Sequence, residues 1–128
     1  MTPLSLLPKV RSQVLMDAME LLPCTLRIAS LAPGMSCAPE DTVVGCHLPV
    51  GQAGGKGVAT KVTELAVAAG CRHCHNILDR VDQKSWSYIY KNFPHILHLR
   101  MLHGLVETHA RLYEMGIITV KGDMNNER

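Results

Sequence analysis

Aromatic side chains are scarce in this sequence: one Trp, three Tyr and one Phe make up 4% of 128 residues. The core must then be built from Leu, Val, Ile, Ala and Met, without the contact area that rings supply. A chain this short buries a limited fraction of its surface, so a second independent core is excluded and some added staple would be useful. Long apolar runs are missing too. No stretch approaches the roughly 18 residues needed to span a bilayer. Met1 to Leu22 is interrupted by Pro3, Lys9, Arg11, Asp17 and Glu20, and shows no apolar region followed by a small-residue cleavage site. The expectation is a soluble, cytoplasmic protein with no membrane partner. A dominant charge is also lacking. With a formal net charge of +2 and a pI near 8.3, the whole-molecule field is a weak argument for a nucleic-acid partner. There is no GxxxxGK[ST] arrangement, which withdraws support from nucleotide hydrolysis.

What is present in excess is cysteine. Five thiols in a chain without an export signal argue against a disulfide framework, because the count is odd and cytosolic thiols stay reduced. Cys71-Arg72-His73-Cys74-His75 contains the CxxC spacing that points two sulfurs at one ion, half of a tetrahedral zinc site. Cys24 and Cys37, with twelve residues between them, supply a second arm. Together Cys24, Cys37, Cys71 and Cys74 form a four-thiolate set for a structural zinc. In small metallo-domains such an ion contributes roughly 10 kcal/mol or more, comparable with the whole stability of the fold. A redox pair at Cys71 and Cys74 is the competing reading, and it requires an exposed thiol of low pKa.

Apolar spacing predicts a helix over Lys9 to Leu22, ended by Pro23. Alternation in Cys24 to Ile28 predicts a short strand, and Ala32 to Glu40 a loop. Thr42 to Leu48, β-branched at its start, predicts a strand with His47 near its end. Pro49 to Gly57 is a glycine-rich, turn-forming connection. Glu64 to Ala69 is ambiguous between strand and helix. A helix is expected from about Cys74, with Ile77, Leu78 and Val81 as its apolar stripe. Ser85 to Met115 is helical with a break near Pro94, burying Ile96, Leu97, Leu99, Leu102, Leu105, Val106 and Leu112. Gly116 should end that helix, with Ile117 to Val120 as a closing strand.

His75 and Asp79 stand one helical turn apart and can share a divalent cation. Lys56, Lys61, Arg72 and Arg80 bracket the glycine-rich and cysteine-rich segments, where phosphate contacts would be needed. Trp86, Tyr88 and Tyr90 could stack on bases, but such spacing more often anchors a helix, and they receive no role.

The order of DTVVGCHLP, a glycine-rich connection, an apolar run and then GCRHCHNILD resembles the zinc-stapled form of the HNH (ββα-metal) nuclease motif, over about Cys24 to Asp79. With GGKG and the helical C-terminal part, the chain is similar to the small HNH-type nucleases of lambdoid prophages, to about Gly122. The resemblance implies an α+β fold: a zinc-stapled ββα-metal core with added N- and C-terminal helices. It divides the chain into a helical segment over 1–22, a zinc-binding nuclease domain over 23–122 and a polar tail over 123–128. It also implies a metal-dependent endonuclease acting on nucleic acid, DNA in first place. His47 would be the general base. His75, with Asp79, would hold a catalytic cation, either Mg²⁺ or a transition ion. Where the family commonly carries Asp, His or Glu before the base, this chain has Cys46, read here as a packed residue. No Asn occurs between Lys61 and Gly70, where Glu64 is the nearest polar residue. The alternative is a non-catalytic, zinc-stabilised module that binds nucleic acid or protein.

Overall fold

The computed structural model describes residues 1–49 and 63–124. Lys56, Lys61 and the connection beyond Pro49 lie outside the described residues, as does the end of the expected polar tail. The architecture is mixed α+β, with a two-stranded antiparallel sheet and four α-helices among the described residues.

Helix α1 (Gln13–Ala18) begins where Ser12 caps it, its Oγ accepting from the Leu15 amide at 3.1 Å. It is shorter than the expected Lys9 to Leu22. Val10 is already engaged, donating to Thr63 Oγ1 and accepting from the Glu64 amide, each at 3.0 Å. Downstream the chain tightens into a 3₁₀ turn, Met19–Leu21, before Pro23. Leu15, Ala18 and Met19 enter the same core as the rest of the chain.

Strand β1 (Val44–His47) pairs with β2 (Val67–Gly70), in the register Val44 opposite Gly70 and His47 opposite Val67. The ambiguous run resolves into a 3₁₀ turn, Glu64–Ala66, followed by β2. Every residue of β2 is buried. A strand covered on both faces has no reason to alternate, which is why periodicity could not classify it.

Helix α2 (Arg72–Leu78) starts two residues earlier than expected and uses Cys71 as its N-cap. It also ends early. Arg80 takes a left-handed backbone (φ 58°), so Val81 turns outward, 73% exposed, while Ile77 and Leu78 are fully buried. Asp82 caps α3 (Gln83–Asn92) by accepting from the Ser85 amide at 3.1 Å. Pro94 cannot continue that helix, since it has no amide hydrogen, and instead occupies the first turn of α4 (Pro94–Glu114).

The buried face of α4 differs from the expected one. Leu97, Met101, Gly104, Thr108 and Leu112 face inward, while Ile96, Leu99, Leu102 and Val106 are exposed. Gly104 explains the choice. A Cβ there would lie 3.1 Å from the Thr25 carbonyl oxygen and 3.3 Å from Leu26 Cα, so any side chain would make the helix or the Cys24 arm give by a few tenths of an ångström. Beyond α4, Gly116 turns the chain (φ 75°) and the Ile117 amide bonds back to the Leu112 carbonyl at 2.9 Å. That cap directs Ile117 and Ile118 onto the core, and no strand forms over Ile117 to Val120. No described helix is long and apolar enough to cross a membrane.

Candidate functional site

Two arms bring the cysteines together. Cys71 and Cys74 sit at the end of β2 and in the first turn of α2, so the strand-to-helix junction sets their spacing. Cys24 and Cys37 come from irregular chain. The strand expected at Cys24 to Ile28 does not form, because Arg27 has a left-handed backbone (φ 50°) that bends the segment after a single β-type contact. That contact is the Thr25 amide donating to the Ala69 carbonyl at 2.8 Å. The bend aims the Arg27 amide at Cys24.

All four ligand atoms lie within 4.8 Å of one another. Three of the separations are known more closely: Cys24 to Cys74 3.7 Å, Cys24 to Cys37 3.8 Å and Cys37 to Cys74 3.9 Å. A tetrahedron with Zn–S bonds of about 2.3 Å has edges near 3.8 Å, which these three separations match, so with Cys71 in the same cluster the four sulfurs could hold a zinc ion. They are far beyond the roughly 2.05 Å of a disulfide. Backbone amides supply part of the charge balance: Ala29 donates to Cys74 Sγ at 3.4 Å and Ala38 to Cys71 Sγ at 3.3 Å.

Without a cation the cluster tolerates little negative charge. Hydrogen bonding to Cys74 and the amides of Arg27 and Cys71 push the Cys24 thiol down. Burial and the neighbouring sulfur charges push Cys37 up to about 12, and the bond to Cys24, reinforced by burial, pushes Cys74 up. Metal uptake must therefore expel thiol protons, and affinity should fall as pH falls. Cys24, Cys71 and Cys74 are buried, which is the wrong environment for the exposed, low-pKa thiol of a redox pair.

The scaffold holds both arms with buried polar bonds. Thr25 Oγ1 donates to the Ala69 carbonyl at 2.9 Å, and the Ala69 amide donates to Thr108 Oγ1 at 3.1 Å. The two threonine hydroxyls lie 2.9 Å apart. Strand β2, the Cys24 arm and α4 are thus joined at one point. Glu107 reinforces it with a bidentate pair to Arg27 (2.9 and 3.2 Å) and a 2.8 Å bond from Arg111 Nε. Those two guanidinium groups hold the Glu107 carboxyl down at about 2. Arg100 donates to the Arg27 carbonyl. On the other arm, His73 Nδ1 lies 2.9 Å from the Ser36 carbonyl, which can only accept, so Nδ1 carries the proton and tethers the Cys37 loop to α2. Sequence reasoning missed Thr25, Gly104, Thr108 and His73, because none has a spacing that marks it as a scaffold residue.

The other candidate residues fall as follows. His47 ends β1, half-buried. His75 lies in α2, and Asp79 forms the helix C-cap rather than a position within it; His75 Nε2 and Asp79 Oδ2 are 2.9 Å apart and both side chains are partly exposed. Cys46 is fully buried beside Gly70, as a packed residue should be. Glu64 accepts from the Ser12 amide at the N-terminal junction. Arg72 and Arg80 are exposed, and the Arg80 guanidinium lies over Trp86, 4.1 Å from the ring centre. Compared with known protein families, with curated proteins and with solved structures, the chain matches none.

Proposed function

We propose that this chain is a metal-dependent endonuclease of the HNH type that hydrolyses nucleic-acid phosphodiester bonds, with DNA as the preferred polymer. The observation that carries this reading is the order of parts around the four-cysteine cluster. A strand ending in His47 is paired antiparallel with a strand that leads through Cys71 directly into the helix bearing His75. A ββα-metal centre needs this order: a base on the first strand and a cation ligand on the helix.

In this reading the cysteines do no chemistry. A zinc held by Cys24, Cys37, Cys71 and Cys74 locks the start of α2 against β2 and so fixes where His75 projects. His47, as a neutral imidazole, takes the proton of the attacking water. His75 and Asp79, already side by side, would hold the catalytic divalent cation. That cation, Mg²⁺ or a transition ion, supplies charge stabilisation at the phosphate and the leaving oxygen. Lys56, Lys61, Arg72 and Arg80 contact the flanking phosphates.

One observation favours a second reading, a non-catalytic zinc-stabilised module that binds nucleic acid or protein. The His75–Asp79 contact at 2.9 Å is also a complete pair in its own right. The two readings separate in a nicking assay on supercoiled plasmid with Mg²⁺, Mn²⁺ or Ni²⁺. Nicking by the wild type that disappears in His47→Ala, with zinc content unchanged, supports the nuclease. Zinc-loaded protein that nicks with none of the ions leaves the binding module.

A further inference from the structure

We infer that the cleft between the end of β1 and helices α3 and α4 is a stacking pocket for one unpaired nucleobase. It encloses about 360 Å³. It is lined by Leu48 and Pro49, immediately after His47, and by Met101 and Leu105 of α4. The lining is also aromatic: Trp86 and Tyr90, one turn apart on α3, stack with ring centres 5.7 Å apart and planes 26° from parallel.

Three features favour a base over a purely apolar ligand. First, four of the residues that line the cleft carry polar groups: Arg80, Trp86, Tyr90 and His98. No ion pair or hydrogen bond engages any of these side chains among the described residues. Second, Arg80 is aimed by its left-handed backbone, which costs a non-glycine residue roughly 1 kcal/mol. A cation laid on an aromatic face offers a base both a stacking surface and charge for the adjoining phosphate. Third, the cleft begins with Leu48 and Pro49, the two residues that follow His47 at the end of β1, so a bound nucleotide lies at the end of the strand that carries the proposed general base. A base paired and stacked within a duplex cannot enter, which makes the preferred substrate single-stranded, unpaired or flipped.

The nuclease reading enters only in naming the ligand as nucleic acid, and binding can be measured without cleavage. Trp86 is the single tryptophan of the chain, so its fluorescence reports the pocket. Zinc-loaded protein, free of other divalent ions, is titrated with a single-stranded oligonucleotide and with a duplex of the same sequence. Quenching by the single strand at concentrations where the duplex leaves the signal unchanged is the expected result. Tyr90→Ala should weaken that binding roughly 5- to 150-fold, the effect of removing one base-stacking ring. Arg80→Gly should weaken it as well. Glycine accepts the left-handed backbone without strain, so misfolding cannot account for that loss. Equal quenching by duplex and single strand, no quenching by either, or wild-type affinity in both variants would overturn the inference. Plasmid nicking without single-strand quenching would leave the nuclease and remove the pocket; quenching without nicking would leave the pocket on a binding module.

Discussion

Replacing Gly104 with alanine sets two effects of similar size against each other. In an exposed helix the change would stabilise by about 1 kcal/mol, because glycine is that much worse than alanine in a helix interior. At position 104 the added methyl would stand 3.0 Å from Leu26 Cδ2, 3.1 Å from the Thr25 carbonyl oxygen and 3.3 Å from Leu26 Cα. Two of these neighbours are backbone and cannot rotate away, so the helix or the Cys24 arm must shift. Overpacking of this kind costs about 1–3 kcal/mol, and the net expectation is a loss of about 1 kcal/mol, or roughly 3–5 °C in Tm for a chain of this size. Since the displaced segment carries Cys24, Gly104→Ala should also release zinc to a competing chelator faster than the wild type. The assays are thermal unfolding of the zinc-loaded protein and a chromophoric chelator competition. Ala110→Gly, on the exposed side of the same helix, is the propensity control and should lose about 0.5–1 kcal/mol with no change in zinc release. A Gly104→Ala protein that is more stable than wild type would refute the close approach of α4 to the cysteine arm.

Other expectations follow from the same geometry. Cys37→Ser should remove most of the bound zinc and lower Tm steeply, whereas Cys46→Ala should keep a full complement of zinc and lose only packing, about 1–2 kcal/mol; elemental analysis of the two proteins separates them. Glu107→Gln tests the clamp on Arg27. The Glu107 carboxyl is lowered from 4.5 to about 2, so its contribution is full above about pH 4.5 and fades as pH falls toward 2. Face value would be roughly 3 kcal/mol, but its two arginine partners are 43% exposed, and screening brings this to about 1–2 kcal/mol. Denaturant melts should therefore show a gap between Glu107→Gln and wild type at pH 7 that narrows below pH 4.5; a gap constant across that range would contradict the clamp.

The cysteine set was legible in the sequence because CxxC at a strand-to-helix junction constrains its sulfurs locally, and Cys24 and Cys37 upstream could supply the other two thiols of a tetrahedral site. β1 was legible from its β-branched start. The Cys24 arm was misread as a strand because alternation of apolar and polar residues does not reveal a left-handed Arg27, which ends pairing after Thr25. The inner face of α4 was misread for a different reason. Its contacts are made by a glycine and a threonine, so a search for apolar stripes selected Leu99, Leu102 and Val106, which lie outside. The aromatic cleft was half visible: Trp86 and Tyr90 stand one turn apart in sequence, but Arg80 joins them only through the turn that ends α2. Stereochemical constraints with short range leave a trace in sequence, and close approaches between distant segments leave none.

Both functional readings stand on the same four-thiolate centre, and zinc K-edge X-ray absorption on the purified protein tests it most directly. One zinc per chain surrounded by four sulfurs at about 2.3 Å is the predicted result. A nitrogen or oxygen ligand replacing one of the sulfurs, or protein that purifies folded without zinc, would contradict it.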